Sequence, residues 1–245
     1  MGITKIYADM QDRESVAWKK LCEYIELVAA EGRTEFYPRE YLGTELFYQI
    51  HSLPESIAKL KSVTKLRLYG SKLTRLPPEI GQMSALEYLN LDPSDELCWC
   101  PYELVYCKNL RDSDVRTRAL YGNFKGRKPF PDLNEYTVRY TSDRVCCSIC
   151  KKELGYDQVN QAWISLWIGT DVMPLLANLC SPACADALPT PPPGYIPYAH
   201  KGGRTISQKG LDPELDAWRF LCEKNPEGFV RTYDPEHKYK PTLSW

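Results

Sequence analysis

The chain has 245 residues, 43% apolar and 26% charged, and its net charge is −1 from 31 basic and 32 acidic side chains. This excludes a globally basic nucleic-acid coat and an acidic solvating tail. With no run of about 18 uncharged apolar residues, no membrane span is expected. Residues 1–12 lack a basic start followed by an apolar stretch, so a cytoplasmic protein is expected. Ten cysteines in such a chain point to metal binding before disulfides.

From about Met10 to Ala30, Val16, Leu21, Ile25 and Val28, with Trp18 and Cys22 beside them, follow the period of one buried helical face. Asp12 and Ser15 supply start signals and Gly32 a stop. Residues 1–49, including the Tyr-rich stretch 36–48, are read as an N-terminal helix and cap.

An internal repeat occupies residues 50–118. Leu53-Pro54-Glu55-Ser56-Ile57 aligns with Leu76-Pro77-Pro78-Glu79-Ile80 and Cys100-Pro101-Tyr102-Glu103-Leu104, at offsets of 23 and 24 residues. Leu60, Met83 and Cys107 follow in register, as do Val63, Leu86 and Leu110, and Leu68, Leu91 and Val115. Leu66 and Leu89 match, but Ser113 breaks the third copy. Each unit has one apolar edge that only a stacked neighbour can bury, with one short parallel strand per unit. The stretch is similar to the bacterial LPxxI-type leucine-rich repeats, also found in plant intracellular proteins. That resemblance implies a short solenoid needing caps at both ends. Where that family usually has Asn after the strand, this chain has Ser71, Ser94 and Arg118. A serine hydroxyl replaces part of the amide's hydrogen bonding, and the arginine marks the end of the regular coils.

Residues 119–140 are read as a connector, with alternation over 136–140 predicting a strand. Residues 141–205 form a cysteine module. Cys147-x-x-Cys150 and Cys180-x₃-Cys184 make two close thiolate pairs, which suit one tetrahedral Zn²⁺. Cys146 is an alternative to Cys147 but lengthens the first spacing. Ser181-Pro182 starts a helix beneath the second pair. The arrangement resembles a treble-clef zinc finger, and four Cys ligands make the expected Zn²⁺ structural, with no open coordination position. Gln161–Ile168 reads as a buried strand or short helix, with Trp163 and Trp167 as core around the metal. Cys100 and Cys107 read as small apolar core residues, and Cys98 with Cys100 as a weak alternative redox pair. Pro189–Gly194 is a stiff connector. Residues 206–245 are read as a helix over Asp212–Glu223 and an extended tail. In that helix Ala217-Trp218-x-x-Leu221-Cys222-Glu223 echoes Ala17-Trp18-x-x-Leu21-Cys22-Glu23.

The fold class expected is therefore mixed α/β: a leucine-rich repeat solenoid with a helical cap before it and a zinc-binding domain after it. Phosphate-loop, dinucleotide, zinc-protease and serine-hydrolase motifs are absent, and the three histidines, His51, His200 and His237, have no nucleophile beside them in sequence. A non-enzymatic adaptor or scaffold is expected. Its partner face is the concave side of the strands: Lys65, Arg67, Tyr69, Tyr88, Asn90, Asp92, Asp112, Asp114 and Arg116, running from basic to acidic, with Arg67 and Asp112 at matching positions. Such polarity suits an unidentified protein partner of opposite charge order. The alternative is nucleic-acid binding through residues 116–152. That segment carries nine basic against three acidic residues, with interleaved aromatics and Lys125, Arg127 and Lys128 at its centre.

Overall fold

The computed structural model describes residues 6, 8–123, 128–203 and 206. The expected helix over 212–223, the tail after it, Lys125 and Arg127 lie outside the described residues. The architecture is mixed α/β, with few helices and several sheets.

Helix α1 spans Val16–Glu31. It begins later than the periodicity from Met10 suggests, because Ser15 caps it. The Ser15 hydroxyl accepts from the Trp18 N–H, and Asp12 receives the Glu14 N–H in the turn before. Gly32 ends the helix in the left-handed conformation at φ 62°, where it satisfies the carbonyls of Ala29 and Val28. Ala17, Trp18, Leu21, Tyr24, Ile25 and Val28 form the buried face. Val16, assigned to that face from the periodicity, stands 62% exposed at the first helical position.

Strand β1 (Glu35–Phe36) and the short helices α2 (Pro38–Leu42) and α3 (Thr44–Phe47) follow. The repeats then supply β2 (Lys65–Arg67), β3 (Tyr88–Asn90), β4 (Cys100–Pro101) and β5 (Asp112–Asp114). The four strands β1-β2-β3-β5 form one parallel sheet, with Leu66 beside Leu89 and Leu89 beside Ser113. The repeat register is therefore the sheet register. Strand β1 adds a turn of chain ahead of the three found by period, its Phe36 aligned with Leu66. Opposite the strands, the LPxxI segments form 3₁₀ turns at 55–59, 78–82 and 102–106. Leu53, Ile57, Leu60, Leu66, Leu68, Leu76, Ile80, Met83, Leu86 and Leu89 are all buried between the two sides. Ser71 and Ser94 join hydroxyls at 2.8 Å in the interior. The serines thus bond to each other across neighbouring repeats.

After the repeats come β6 (Arg144–Cys146) and β7 (Glu153–Gly155), which form an antiparallel pair. Next is the long hairpin of β8 (Asn160–Ile168) and β9 (Asp171–Leu179), and then α4 (Pro182–Asp186). Strand β4, although part of the third repeat, pairs in parallel with β9. The hairpin thus lies across the end of the repeat stack. Its turn meets β5: the Ser113 hydroxyl donates toward the Ile168 carbonyl (2.9 Å) and the Asp171 carboxylate (2.8 Å), and accepts the Thr170 N–H (3.1 Å). The Thr170 hydroxyl donates to the Ser113 carbonyl at 2.9 Å. A Cβ at Gly169, which has φ 61°, would come within 2.8 Å of the Asp112 carbonyl carbon and the Ser113 hydroxyl, so only glycine fits this approach. Ser113 departs from the repeat pattern because it meets a polar turn where a repeat leucine would meet another leucine.

Residues 136–140 do not form the expected strand. The Gln161 side-chain amide occupies both backbone groups of Val138, accepting its N–H at 2.7 Å and donating to its carbonyl at 2.8 Å. One side chain here takes the place of a neighbouring strand. Trp163 is buried, but in a second cluster with Trp99, Tyr121, Phe130 and Leu176 and not around the cysteines. Trp167 is only partly buried. Cys100 and Cys107 are buried in the main core, as expected, and burial pushes their thiols up to about 12 and about 11.

Restoring the repeat leucine by Ser113→Leu should destabilise the fold by about 1–3 kcal/mol, since it leaves the turn's polar groups unpaired. Denaturant unfolding would check this. A neutral or stabilising result would contradict the assigned role of the hydroxyl.

Candidate metal centre and interaction face

The four cysteines expected to hold a metal converge. Cys147, Cys150, Cys180 and Cys184 place their sulfurs within 4.8 Å of one another, with Cys150–Cys180 at 3.4 Å and Cys180–Cys184 at 3.5 Å. Sulfurs around a tetrahedral Zn²⁺ lie about 3.8 Å apart, so the donor set and its spacing fit a four-coordinate ion. Local sequence explains the convergence. Cys147 leaves β6 in a tight turn in which Lys151 adopts φ 64° and returns its N–H to the Cys147 carbonyl. Cys180 directly follows β9, and Ser181 caps α4 by accepting the Cys184 N–H. Cys146 is exposed and outside the cluster, which decides between the two candidate spacings.

The thiols are electrostatically divided. Burial raises Cys147, but the backbone N–H groups of Cys150 and Ile149 outweigh it and bring the thiol down to about 7. Hydrogen bonds with the Cys150 and Cys184 thiols push Cys180 up to about 12. Four thiols this close resist joint ionisation, and a cation at their centre removes that resistance.

The cysteine turn is also bolted to the last repeat. The Ser148 hydroxyl donates to the Glu103 carboxylate at 2.7 Å and accepts the Asn178 N–H at 2.9 Å. The Ser148 carbonyl accepts from Tyr106 and, at 3.0 Å, from Lys151. Burial lifts Glu103 to about 6, opposed by the Ser148 hydrogen bond. Lys151 is exposed, and its ammonium lies 3.5 Å from the Tyr106 ring centre.

The expected partner face is placed on the parallel sheet in two rows. Lys65, Tyr88 and Asp112 align, and so do Arg67, Asn90 and Asp114. Arg67 therefore matches Asp114, and Asp112 matches Lys65. The mismatch arose from counting across a two-residue period without the strand register. Glu35 joins the first row and pairs with Lys65 at 3.0 Å and Arg67 at 3.5 Å, so one carboxylate is shared by two cations and this end stays basic. Arg39 covers Tyr69 at 5.4 Å, and Arg116 pairs with Asp92 and Asp95. Asp112 and Asp114, beside the paired Asp92, make the opposite end acidic. Burial and the two neighbouring carboxylates raise Asp114. Glu35 and Arg39 escaped the sequence reading because they precede the recognisable repeats.

The basic segment is differently disposed from the nucleic-acid expectation. Tyr121 and Phe130 are buried around Trp163, so their faces are not open to bases. The Lys128 ammonium donates to the Cys98 sulfur at 2.8 Å and lies over the Tyr121 ring. Arg139 covers Tyr156, and Arg144 pairs with Glu153. Lys128 is partly buried by these contacts, whereas Arg139 and Arg144 are exposed. The Cys98 sulfur engaged by Lys128 is likewise a packing group beside Trp99.

Among known proteins, 37 residues, 15% of this chain, are 54% identical to Leucine-rich repeat protein SHOC-2 of Danio rerio, and cover 7% of that protein. No protein-family model matches the chain. No helix among the described residues is long and apolar enough to cross a membrane.

His200 faces the second core, with its ring edge-on to Phe130 and its backbone bridged to Trp163. Its Nδ1 accepts the Gly202 N–H, which keeps the imidazole neutral, and burial lowers it to about 4. A histidine depressed in the fold contributes stability above its ordinary pKa of about 6.5 and loses it as pH falls toward the folded value. Between pH 7 and 5, the wild type should lose about 2 kcal/mol more than His200→Leu in parallel unfolding series. Metal loss is common to both proteins and cancels in that difference. Parallel curves would contradict the buried neutral imidazole.

Proposed function

We propose that this chain is a non-enzymatic protein-interaction module: a short leucine-rich repeat solenoid capped by α1 at one end and by a structural Zn²⁺–Cys₄ module at the other, with the parallel sheet as its partner face. The observation carrying the reading is the register. Glu35, Lys65, Tyr88 and Asp112 form one row across four parallel strands and Arg67, Asn90 and Asp114 a second across three, with Leu66 and Leu89 wholly buried between the rows. The short match to a leucine-rich repeat protein agrees with it. Zinc is the ion best suited to four thiolates in two close pairs, and such a closed set leaves no position for substrate water. The partner's surface should be basic where it meets Asp92, Asp112 and Asp114, and aromatic or polar toward Tyr69 and Tyr88.

Untagged protein should carry close to one zinc per chain by elemental analysis. Cys180→Ser should lower that value and loosen the cysteine turn and the hairpin behind it. A freshly purified, folded protein with near-zero metal contradicts this assignment.

The partner face is tested by affinity capture with wild type and with the double charge reversal Arg67→Glu, Asp114→Lys, whose sites share one register row. Folding, read by circular dichroism, should be unchanged. Protein partners should be weakened, chiefly in association rate and more at low salt. Retention of every protein partner by the reversed face, together with nucleic-acid binding that falls on Lys125→Ala, Arg127→Ala and Lys128→Ala, would favour the nucleic-acid reading instead.

A further inference from the structure

Cys98 stands just before the third repeat and outside the four-cysteine cluster. Its sulfur meets the Lys128 ammonium at 2.8 Å and the Glu96 carbonyl at 3.3 Å. The first distance is shorter than an ordinary N–H···O contact of about 2.9 Å, although sulfur is the larger atom. Nitrogen and sulfur are thus in direct contact, from positions 30 residues apart in the chain.

The backbone holds them there. The Tyr121 N–H donates to the Cys98 carbonyl at 2.9 Å, and Tyr121 is bridged in parallel to Lys128. The Gly122 N–H closes on the Lys128 carbonyl at 2.7 Å. Residues 98, 121 and 128 therefore lie side by side, and the two side chains reach each other from anchored positions. The Lys128 ammonium also stands 5.4 Å from the Tyr121 ring centre. The nearest thiol in sequence, Cys100, is buried in the main core, whereas Cys98 belongs to the cluster around Trp99 and Trp163. The two cysteines face different interiors, so the group placed to trap an oxidised Cys98 is the lysine and not a second thiol. Cys98 is 7% exposed and Lys128 half-buried. That burial hinders bulky reagents, but apolar interiors admit small uncharged guests such as gases.

We propose that Cys98 and Lys128 form a covalent modification site, at which dioxygen links them through one oxygen atom as Sγ–O–Nζ. The lysine first releases its ammonium proton to solvent. The thiol and the neutral amine then each lose one hydrogen, and both hydrogens leave in water with the second oxygen atom. Cys–SH, Lys–NH₂ and O₂ thus give Cys–S–O–NH–Lys and H₂O. Sulfur and nitrogen each give up two electrons, and dioxygen takes all four. An oxygen atom seated between the pair spans the present gap, whereas a direct sulfur–nitrogen bond requires the two to close in. A dithiol reductant returns the four electrons and releases both side chains, so the link is reversible. The bond staples the segment that leaves the repeats onto the start of the third repeat, and it removes the Lys128 charge. It depends on neither the sheet face nor the zinc.

The test compares the full zinc-loaded chain kept under argon with the same chain held in dioxygen-saturated buffer. Both are unfolded without reductant, alkylated, digested and mapped by tandem mass spectrometry. After dioxygen, a cross-linked peptide pair should join Cys98 to Lys128, about 14 Da above the sum of its two peptides, one oxygen more and two hydrogens fewer. Dioxygen of the heavy oxygen isotope should add about 2 Da to that pair, and dithiothreitol should abolish it. Cys98 should escape alkylation in the oxygenated sample and be alkylated in the one under argon. Lys128→Arg keeps a cation at the contact but has no primary amine, and Cys98→Ser has no thiol, so both should lose the cross-link entirely. The wild-type comparison stands by itself if either variant folds poorly. Full alkylation of Cys98 after dioxygen would make the contact a hydrogen bond only and overturn the proposal. A Cys98 disulfide, a Cys98 sulfinic acid beside a free Lys128, or a cross-link lacking the extra oxygen would overturn it equally.

Discussion

The structure depends on how its last repeat ends. A stack of parallel turns has an apolar end that must be kept from water and a strand edge whose unpaired amides invite another strand. Here the hairpin of β8 and β9 covers both. Its β9 strand pairs with β4 of the third repeat, and its turn meets β5 through Ser113 and Thr170. Repeats and cysteine module are thus joined by backbone and side-chain hydrogen bonds as well as by apolar packing, and leucines of both halves share one core.

The polar groups at this junction are stationed where an apolar contact would lack directional specificity. Glu103 stands in the third repeat where the second has Glu79. It turns inward to receive Ser148 from the cysteine turn. Ser148 then fixes Asn178 on β9, and Asn178 accepts from Gln161, which holds Val138. This chain of bonds runs from the last repeat through the cysteine turn to Val138. Each member is buried, so each bond forms away from competing water.

What could be read from the sequence follows from how local the cause is. Leu66 and Leu89 were placed by period because burial demands the same side-chain type at each turn. The cysteine pairs were placed because a tetrahedral ion needs close spacing. Strand β1 was invisible: it is two residues long, and Phe36 precedes Leu66 by an interval that is not the repeat's. Ser113 looked like a failure of the repeat because its partners lie more than fifty residues ahead. The alternation at 136–140 suggested a strand, but its bonding partner is a glutamine side chain and leaves no neighbouring strand to pair with. In the basic and aromatic segment, the burial of Tyr121 and Phe130 could not be read because sequence does not tell a ring in a core from one on a face.

Thr170 supplies the only side-chain cover given to the outer backbone groups of Ser113 among the described residues, by accepting the Ser113 N–H and donating to its carbonyl. One threonine side chain therefore performs the work of a missing fifth strand. A turn that swung away would leave β5 as an open sheet edge, and the nearest group of the right shape is the corresponding edge of another molecule. The hairpin turn is thus also a guard against self-association by strand addition, so integrity of the cysteine module and solubility of the repeat half are two readings of the same contact.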